Sequence, residues 1–196
     1  MFSEDNVAPL SSTEMTRILS LILLLGAGFE LSAQATVPGA GFDEYQVKAA
    51  FLYNFAKFVE WPPGTFSSPS DPIGICIAGM NPFGSTLDTM VQGKKMGERV
   101  FAVRRIPDTQ QAKECQILFI GGTEWKRLRS LLDALKGAAI LTVGETDDFT
   151  AAGGMIAFQL AGPRVRIQID LETAEHSRLK ISSKLLSLAQ IVKRQP

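Results

Sequence analysis

The sequence has one histidine, two cysteines and no excess of charge of either sign, and each scarcity excludes a class of function. His176 stands alone, so metal sites built from several histidines are excluded, and a tetrahedral zinc site lacks ligands. Lysines and arginines number 20, as do aspartates and glutamates, which is not the charge pattern of a nucleic-acid-binding protein. We therefore expect no metal, no cofactor and no nucleic acid.

Long hydrophobic runs are also missing. The longest one, Ile18–Leu25, is too short to span a membrane, because a spanning helix needs about 20 apolar residues. Across the whole chain 45% of the 196 residues are hydrophobic and 20% are charged. This composition is typical of a compact domain, and the length predicts a single one.

The first 35 residues have the layout of an export signal. Ala33-Gln34-Ala35 follows the apolar run and supplies the small-residue pattern of a cleavage site. The chain has no basic residue before Met15, whereas starting at Met15 gives Met-Thr-Arg and then the apolar run. We predict a true start at Met15, a signal over 1–35, a loose leader over 36–42 and a domain over 43–194 without a membrane span.

The cysteines are Cys76 and Cys115. An even count in an exported protein favours a disulfide, because the periplasm is oxidising. The alternative is two buried free thiols on neighbouring strands, where cysteine packs as a small hydrophobic residue.

Apolar residues at helical spacing predict a helix within Tyr45–Pro63, which Pro62 and Pro63 end. Lys48 falls mostly off the apolar face. The residues of that face are Val47, Phe51, Phe55, Phe58 and Val59.

Strands and helices then alternate, which predicts an α/β fold: a single domain with a mostly parallel sheet flanked by helices, a C-terminal antiparallel hairpin and a terminal helix. Strands are predicted over 73–78, 99–106, 116–120 and 138–143, helices over 82–91 and 124–136, and a hairpin over 155–169. A tail helix is predicted over 171–194, with a break near Arg178 and an apolar seam of Ile181, Leu185, Leu188, Ala189 and Val192.

Two turns that follow predicted strands are candidate ligand sites. Asn81 is placed to cap the helix after the first turn, with Pro82 at the first helical position. The second turn precedes a helix whose N-terminus could offer amides to an anion, although Glu124 would oppose a phosphate. Open α/β sheets bind ligands at the carboxyl ends of strands, so a small-molecule crevice is the alternative to plain turns. The residues concerned are Gly79, Asn81, Gly84, Gly121, Gly122 and Thr123.

No catalytic residue is predicted. Ser177 and Lys180 have the S-x-x-K spacing of penicillin-binding enzymes, but the partner motifs are missing, which favours a surface helix. Asp147 and Asp148 have no partner base or nucleophile and are interpreted as a turn. Basic residues form either a solvated face or a contact for an acidic partner. They are Lys94, Lys95, Arg104, Arg105, Lys126, Arg127 and Arg129.

Several segments together resemble the YfiR-like family of small bacterial periplasmic proteins. The longest are Lys48–Pro62 and Leu179–Ala189, and they are joined by 75–84, 115–120 and 140–144. The resemblance marks a signature core of Phe51, Tyr53, Phe55, Phe58 and Trp61. It also points to the Cys76–Cys115 disulfide; family members often have a second cysteine pair, which this chain lacks.

The resemblance implies a regulator and not an enzyme. The characterised type binds the periplasmic domain of an inner-membrane diguanylate cyclase and represses it, which lowers cyclic-di-GMP and biofilm formation. A homodimer is implied as well, and breaking the disulfide would release the cyclase. The alternative is a periplasmic small-molecule binding protein that is accessory to a sensor kinase or transporter.

Overall fold

The structure, a computed structural model, describes residues 43–107, 111–122 and 125–192, apart from the side chain of Trp125. The predicted signal and leader lie outside these residues. The helices are α1 (Glu44–Phe58), α2 (Thr86–Val91), α3 (Trp125–Ala134), α4 (Leu171–His176) and α5 (Ser183–Leu186), with a 3-10 helix at Gln111–Glu114. The strands are β1 (Val59–Glu60), β2 (Ile73–Gly79), β3 (Lys95–Met96), β4 (Arg99–Ile106), β5 (Ile117–Gly121), β6 (Leu141–Gly144), β7 (Ile156–Ala161), β8 (Arg164–Asp170), β9 (Lys180–Ile181) and β10 (Gln190–Val192).

Eight of these strands form one sheet in the order β10-β8-β7-β6-β5-β2-β4-β3. Strands β4, β2, β5, β6 and β7 run parallel, and β8 returns antiparallel to β7 as the predicted hairpin. The predicted α/β class, the mostly parallel sheet and the single domain are confirmed. Within the described part of the chain, every helix is too short or too polar to cross a membrane.

The sheet separates two hydrophobic cores. The α1-side core includes Leu52, Phe55, Phe119 and Phe158, together with the buried residues of α2, Leu87 and Val91. The α3-side core includes both cysteines, the leucines of α3 and Phe149. Buried strands such as β2 and β5 contribute alternate side chains to each, because successive residues of a strand face opposite sides of the sheet.

Helix α1 differs from its prediction at its end and in its buried face. It ends at Phe58, not at the prolines, because Val59 and Glu60 become extended and pair with Ile181 and Lys180 of β9. Phe55 and Val59 are buried as predicted, whereas the remaining predicted members of the face are only partly buried. The helix buries Lys48, Ala49, Leu52, Phe55 and Ala56.

The predicted cap of the next helix is also wrong. Helix α2 begins at Thr86 after Ser85, and Asn81 instead accepts a hydrogen bond from the backbone N–H of Phe83 at 3.1 Å. A side chain that bonds two residues ahead stabilises a turn, so Asn81 closes the turn and the helix starts later.

The C-terminal helix is present, but in two short pieces. Helix α4 stops at a left-handed residue, Arg178 (φ 59°), at the predicted break. The chain then adds β9, α5 and β10, and β10 pairs in parallel with β8. Leu188, expected on a helical seam, is 71% exposed.

Candidate functional site

Cys76 and Cys115 form a disulfide within the α3-side core. Their Cα atoms lie 5.8 Å apart, and the two residues are 39 positions apart in the chain. Cys76 is fully buried in β2, and Cys115, just after the 3-10 helix, is 2% exposed. The predicted crosslink is confirmed, and the free-thiol alternative is wrong.

Backbone and side-chain contacts hold the two cysteine segments together beside the crosslink. The carbonyl oxygen of Gly74 accepts the N–H of Gln116 at 3.0 Å, and the N–H of Gly74 donates to Gln116 Oε1 at 2.7 Å. A side chain on Gly74 would come within 2.9 Å of the Glu114 carbonyl oxygen, so this position needs glycine. The disulfide therefore reinforces a close approach of two segments.

Lys48 forms a buried ionic cluster that the sequence did not reveal. The residue is 3% exposed, and its ammonium contacts the carboxylates of Glu44 and, at 2.6 Å, Glu145. The Tyr45 ring lies 4.8 Å from the ammonium. Burial alone would lower the pKa of Lys48, but hydrogen bonds to Glu145 and Glu44 outweigh it and the pKa is raised. The cluster thus joins a charged lysine of α1 to the turn after β6.

The two predicted ligand turns meet at the carboxyl ends of β2 and β5. Gly79 and Gly121 are direct neighbours in the sheet, and the N–H of Met80 donates to the Gly121 carbonyl at 3.0 Å. A Cβ at Gly121 would lie 2.2 Å from the Met80 carbonyl oxygen, and one at Gly122 would meet the Met80 side chain. Asn81 donates to the Gly84 carbonyl at 3.2 Å. The two turns therefore pack on each other around Met80. Thr123 lies outside the described residues, and ligand binding at these turns stays a prediction.

The basic pair of β4 is engaged with acids of the same molecule. Arg104 contacts Glu114 at 2.5 Å, and Arg105 Nη1 donates to Asp88 Oδ1 at 2.8 Å. The hydrogen bond from Arg105 holds the pKa of Asp88 below its ordinary value. Lys94 lies over the Tyr53 ring at 4.9 Å. These contacts fit a solvated surface in which charges pair locally.

The S-x-x-K segment is not the surface helix that was predicted. Ser177 is 2% exposed and follows the last residue of α4, whereas Lys180 lies in β9. The left-handed Arg178 between them ends the helix, so the two residues do not share a helical face. Asp147 and Asp148 lie exposed in a turn, as predicted.

The signature aromatic residues all lie on the α1 side. Phe55 is fully buried and stacks on Phe158 with ring centroids 6.0 Å apart, and Phe51 contacts both rings. Tyr53 packs on Phe101, Trp61 packs on Phe66, and Phe58 is a partly buried neighbour of the same core. The signature therefore includes the packing that fixes α1 on the sheet.

Two further concave regions were not expected from the sequence. One, a cavity of about 360 Å³, lies between α3 and α4, with Leu132 and Met155 among its apolar residues and Asp133 and His176 among its polar ones. The other, an apolar groove, follows the outer side of α1 beside Met90. Both depend on contacts between distant segments, so no local pattern could have indicated them.

A family model described as YfiR/HmsC-like matches residues 45–190, well over half of the chain. The matched region begins in α1 and ends in β10, so it covers both cores and the disulfide. The chain belongs to this family. Its members are periplasmic and regulatory rather than catalytic, which agrees with the class of function predicted from the sequence.

Proposed function

We propose that this member of the YfiR/HmsC-like family is a periplasmic repressor of an inner-membrane diguanylate cyclase. It binds the periplasmic domain of the cyclase and lowers cyclic-di-GMP and biofilm formation. The family match over residues 45–190 carries this proposal. The export signal over 1–35, with its start at Met15, would bring the domain to the compartment in which that partner domain lies.

The disulfide supports a redox-dependent form of this function. Its loss would cost roughly 4 kcal/mol in the chain-entropy model, which is much of the net stability of an ordinary domain. A repressor that unfolds on reduction no longer occupies the cyclase, so cyclic-di-GMP would rise. Repression and folding are thereby coupled through one bond between Cys76 and Cys115.

Deletion of the gene in its own host tests the proposal. We expect cyclic-di-GMP and biofilm mass to rise, the wild-type gene to restore both, and a Cys76→Ser gene to fail. Lys184→Gln, at an exposed position of α5, is the control for expression and export. Unchanged cyclic-di-GMP after deletion would contradict repression, and normal repression by Cys76→Ser would remove the redox switch while leaving the repressor.

Direct binding is the second measurement. The periplasmic domains of the host's membrane diguanylate cyclases, purified one by one, are titrated with the oxidised repressor. We expect one of them to bind. Light scattering on the repressor alone gives its molar mass and tests the homodimer implied by the family. No binding to any of these domains would contradict the proposed docking to a diguanylate cyclase.

A second candidate function is small-molecule binding for a sensor kinase or transporter. The cavity between α3 and α4 favours it, because ligand sites typically occupy about 300–1,000 Å³ and combine apolar walls with a few polar groups. A periplasmic solute that raises the thermal unfolding midpoint by several degrees would support this function. A solute library without such a compound would count against it.

A further inference from the structure

A second cavity, of about 300 Å³, lies at the opposite end of the sheet from the glycine turns. We call it the loop cavity. The loop 62–65 after α1 forms one wall, and residues 138–140 before β6 form another. Lys113, Gln116 and Arg178 also line it, beside Cys115. Among the described residues that line the loop cavity, two are basic and none is acidic.

The two basic residues form no ion pair within the part of the chain that the structure describes. Lys113 and Arg178 are both exposed, and neither forms an ion pair with a described residue. Glu114, the acidic residue next to Lys113 in the chain, is paired with Arg104 instead. Two exposed cations at one cavity, with no acidic residue among those that line it, give the cavity a positive potential that favours an anion.

Gln116 adds a neutral donor. It is 7% exposed, and its Oε1 accepts the Gly74 N–H at 2.7 Å, which fixes the orientation of the carboxamide. The other end of the carboxamide is its NH₂ group, which donates a hydrogen bond to no described residue. Among the described residues, the buried side-chain atoms without a hydrogen-bond partner belong to Trp61 and Thr146, so the NH₂ of Gln116 is open to solvent and available to an acceptor in the cavity.

The backbone at Arg178 is the third observation. After α4, the N–H of Leu179 donates to the Ala174 carbonyl at 3.0 Å and the N–H of Arg178 to the Glu175 carbonyl at 2.8 Å. This is the Schellman arrangement. The position that Arg178 occupies in it has a left-handed backbone conformation, and the usual residue there is glycine. Arg178 has φ 59°, the only positive φ of a non-glycine residue in the described chain. An arginine therefore occupies a position at which glycine is usual, and the same residue lines the loop cavity.

We propose that the loop cavity binds a small oxyanion, a carboxylate or phosphate group held by Arg178, Lys113 and the side-chain amide of Gln116. Arginine and lysine supply charge-assisted hydrogen bonds to such groups, and the carboxamide supplies a neutral one. Since Cys115 lines the same cavity, a bound oxyanion would stabilise the oxidised fold next to the disulfide. The site is independent of cyclase binding, so its failure would leave the proposed repression intact.

Thermal unfolding of the oxidised mature protein tests the site, with sodium phosphate and sodium acetate as probes and sodium chloride at equal ionic strength as reference. We expect one or both oxyanions to raise the midpoint saturably above the reference, by about 5–10 °C at about 100 times the dissociation constant. A response to phosphate alone or acetate alone identifies which group the site prefers. No shift with either anion would overturn the proposal.

Arg178→Gly is the decisive variant. Glycine is the usual residue at this position, so the variant keeps the helix ending and should fold, yet it removes one cation. We expect it and Lys113→Gln to lose the saturable response, while Lys184→Gln keeps it. A full response in both cavity variants would show a general salt effect and would overturn the site.

The side-chain amide of Gln116 gives a direct readout. In a ¹⁵N–¹H correlation spectrum we expect its NH₂ resonances to shift on addition of the oxyanion in the wild type and in Lys184→Gln, but not in Arg178→Gly. Gln116→Glu keeps the acceptor for the Gly74 N–H and replaces the donor with a carboxylate oxygen, so it should abolish binding. Unmoved Gln116 resonances at saturating anion would exclude this residue, and with it the proposed site.

Discussion

The two sides of the sheet are stabilised by different means. The α1-side core joins Phe51, Phe55, Phe119 and Phe158 through ring contacts with centroids 6.0–6.5 Å apart. Among its described members the α3-side core has one phenylalanine, Phe149, and otherwise aliphatic residues and the disulfide. Aromatic side chains bury large areas and stabilise a core by packing alone. The difference indicates that the α3 side depends on its crosslink and the α1 side does not.

The ionic cluster sharpens this contrast. It ties the start of α1 to the turn after β6 through Lys48 and Glu145, 97 positions away in the chain. The α1 side thus combines an apolar core with a charged contact at its border. Reduction of the disulfide should leave the apolar core and the ionic cluster of the α1 side chemically unchanged. Its first effect should be on the α3 side of the sheet.

The largest effect is expected from Phe55→Ala. This side chain is fully buried and touches two other rings, so its removal leaves a cavity and should lower the free energy of unfolding by about 3–5 kcal/mol. Chemical denaturation of the oxidised protein measures it. Phe66→Ala, at a partly buried position, is the matched control and should cost less. Equal losses for the two variants would contradict a core centred on Phe55.

Removal of the crosslink should have an effect of similar size. In Cys76→Ala/Cys115→Ala the free energy of unfolding should fall by roughly 4 kcal/mol, because the unfolded chain regains the freedom of the closed loop. Native-state hydrogen exchange then distinguishes the two sides. We expect protection to fall more in β2 and in the 3-10 helix Gln111–Glu114 than in α1. A uniform fall across both sides would refute the proposed dependence of the α3 side on the disulfide.

The sequence predicted what local patterns encode. Alternation of buried strands and helices predicted the parallel sheet, and export with two cysteines predicted the crosslink. It did not predict contacts set by distant residues. Lys48 falls off the apolar face on a helical wheel, yet it is buried because Glu145 supplies a counter-charge, and no pattern within α1 contains that information.

The errors at the end of α1 and in the C-terminal segment have the same origin. Pro62 and Pro63 were expected to end α1, but pairing of Val59 with Ile181 ends it sooner. Apolar residues at 181–192 were interpreted as one helical seam, whereas the chain uses β10 to extend the sheet beside β8. Of the candidate sites, the disulfide could be predicted, but the loop cavity could not, because Lys113, Gln116 and Arg178 come together only in the fold.

The smallest of the three effects is expected at the ionic cluster. Lys48→Met keeps the side chain's length but removes the charge, and leaves Glu44 and Glu145 without their shared cation. Both carboxylates are partly exposed, at 27% and 21%, so they can turn to water, and we expect a loss of about 1–2 kcal/mol, smaller than for a fully buried pair. Lys57, on the same helix, is exposed and lies over the Tyr53 ring, so Lys57→Met should lower the free energy of unfolding by less.

The pH dependence separates charge from packing in this variant. The pKa of Lys48 is raised in the folded protein above its ordinary 10.5, so the cluster's contribution is complete below pH 10.5 and disappears as the pH rises through the folded-state pKa. The stability difference between wild type and Lys48→Met should therefore be constant near neutral pH and shrink above pH 10.5. Urea denaturation from pH 7 to 11.5 measures it. A difference that stays the same across this range would mean that Lys48 stabilises the fold through its packing and not through its charge.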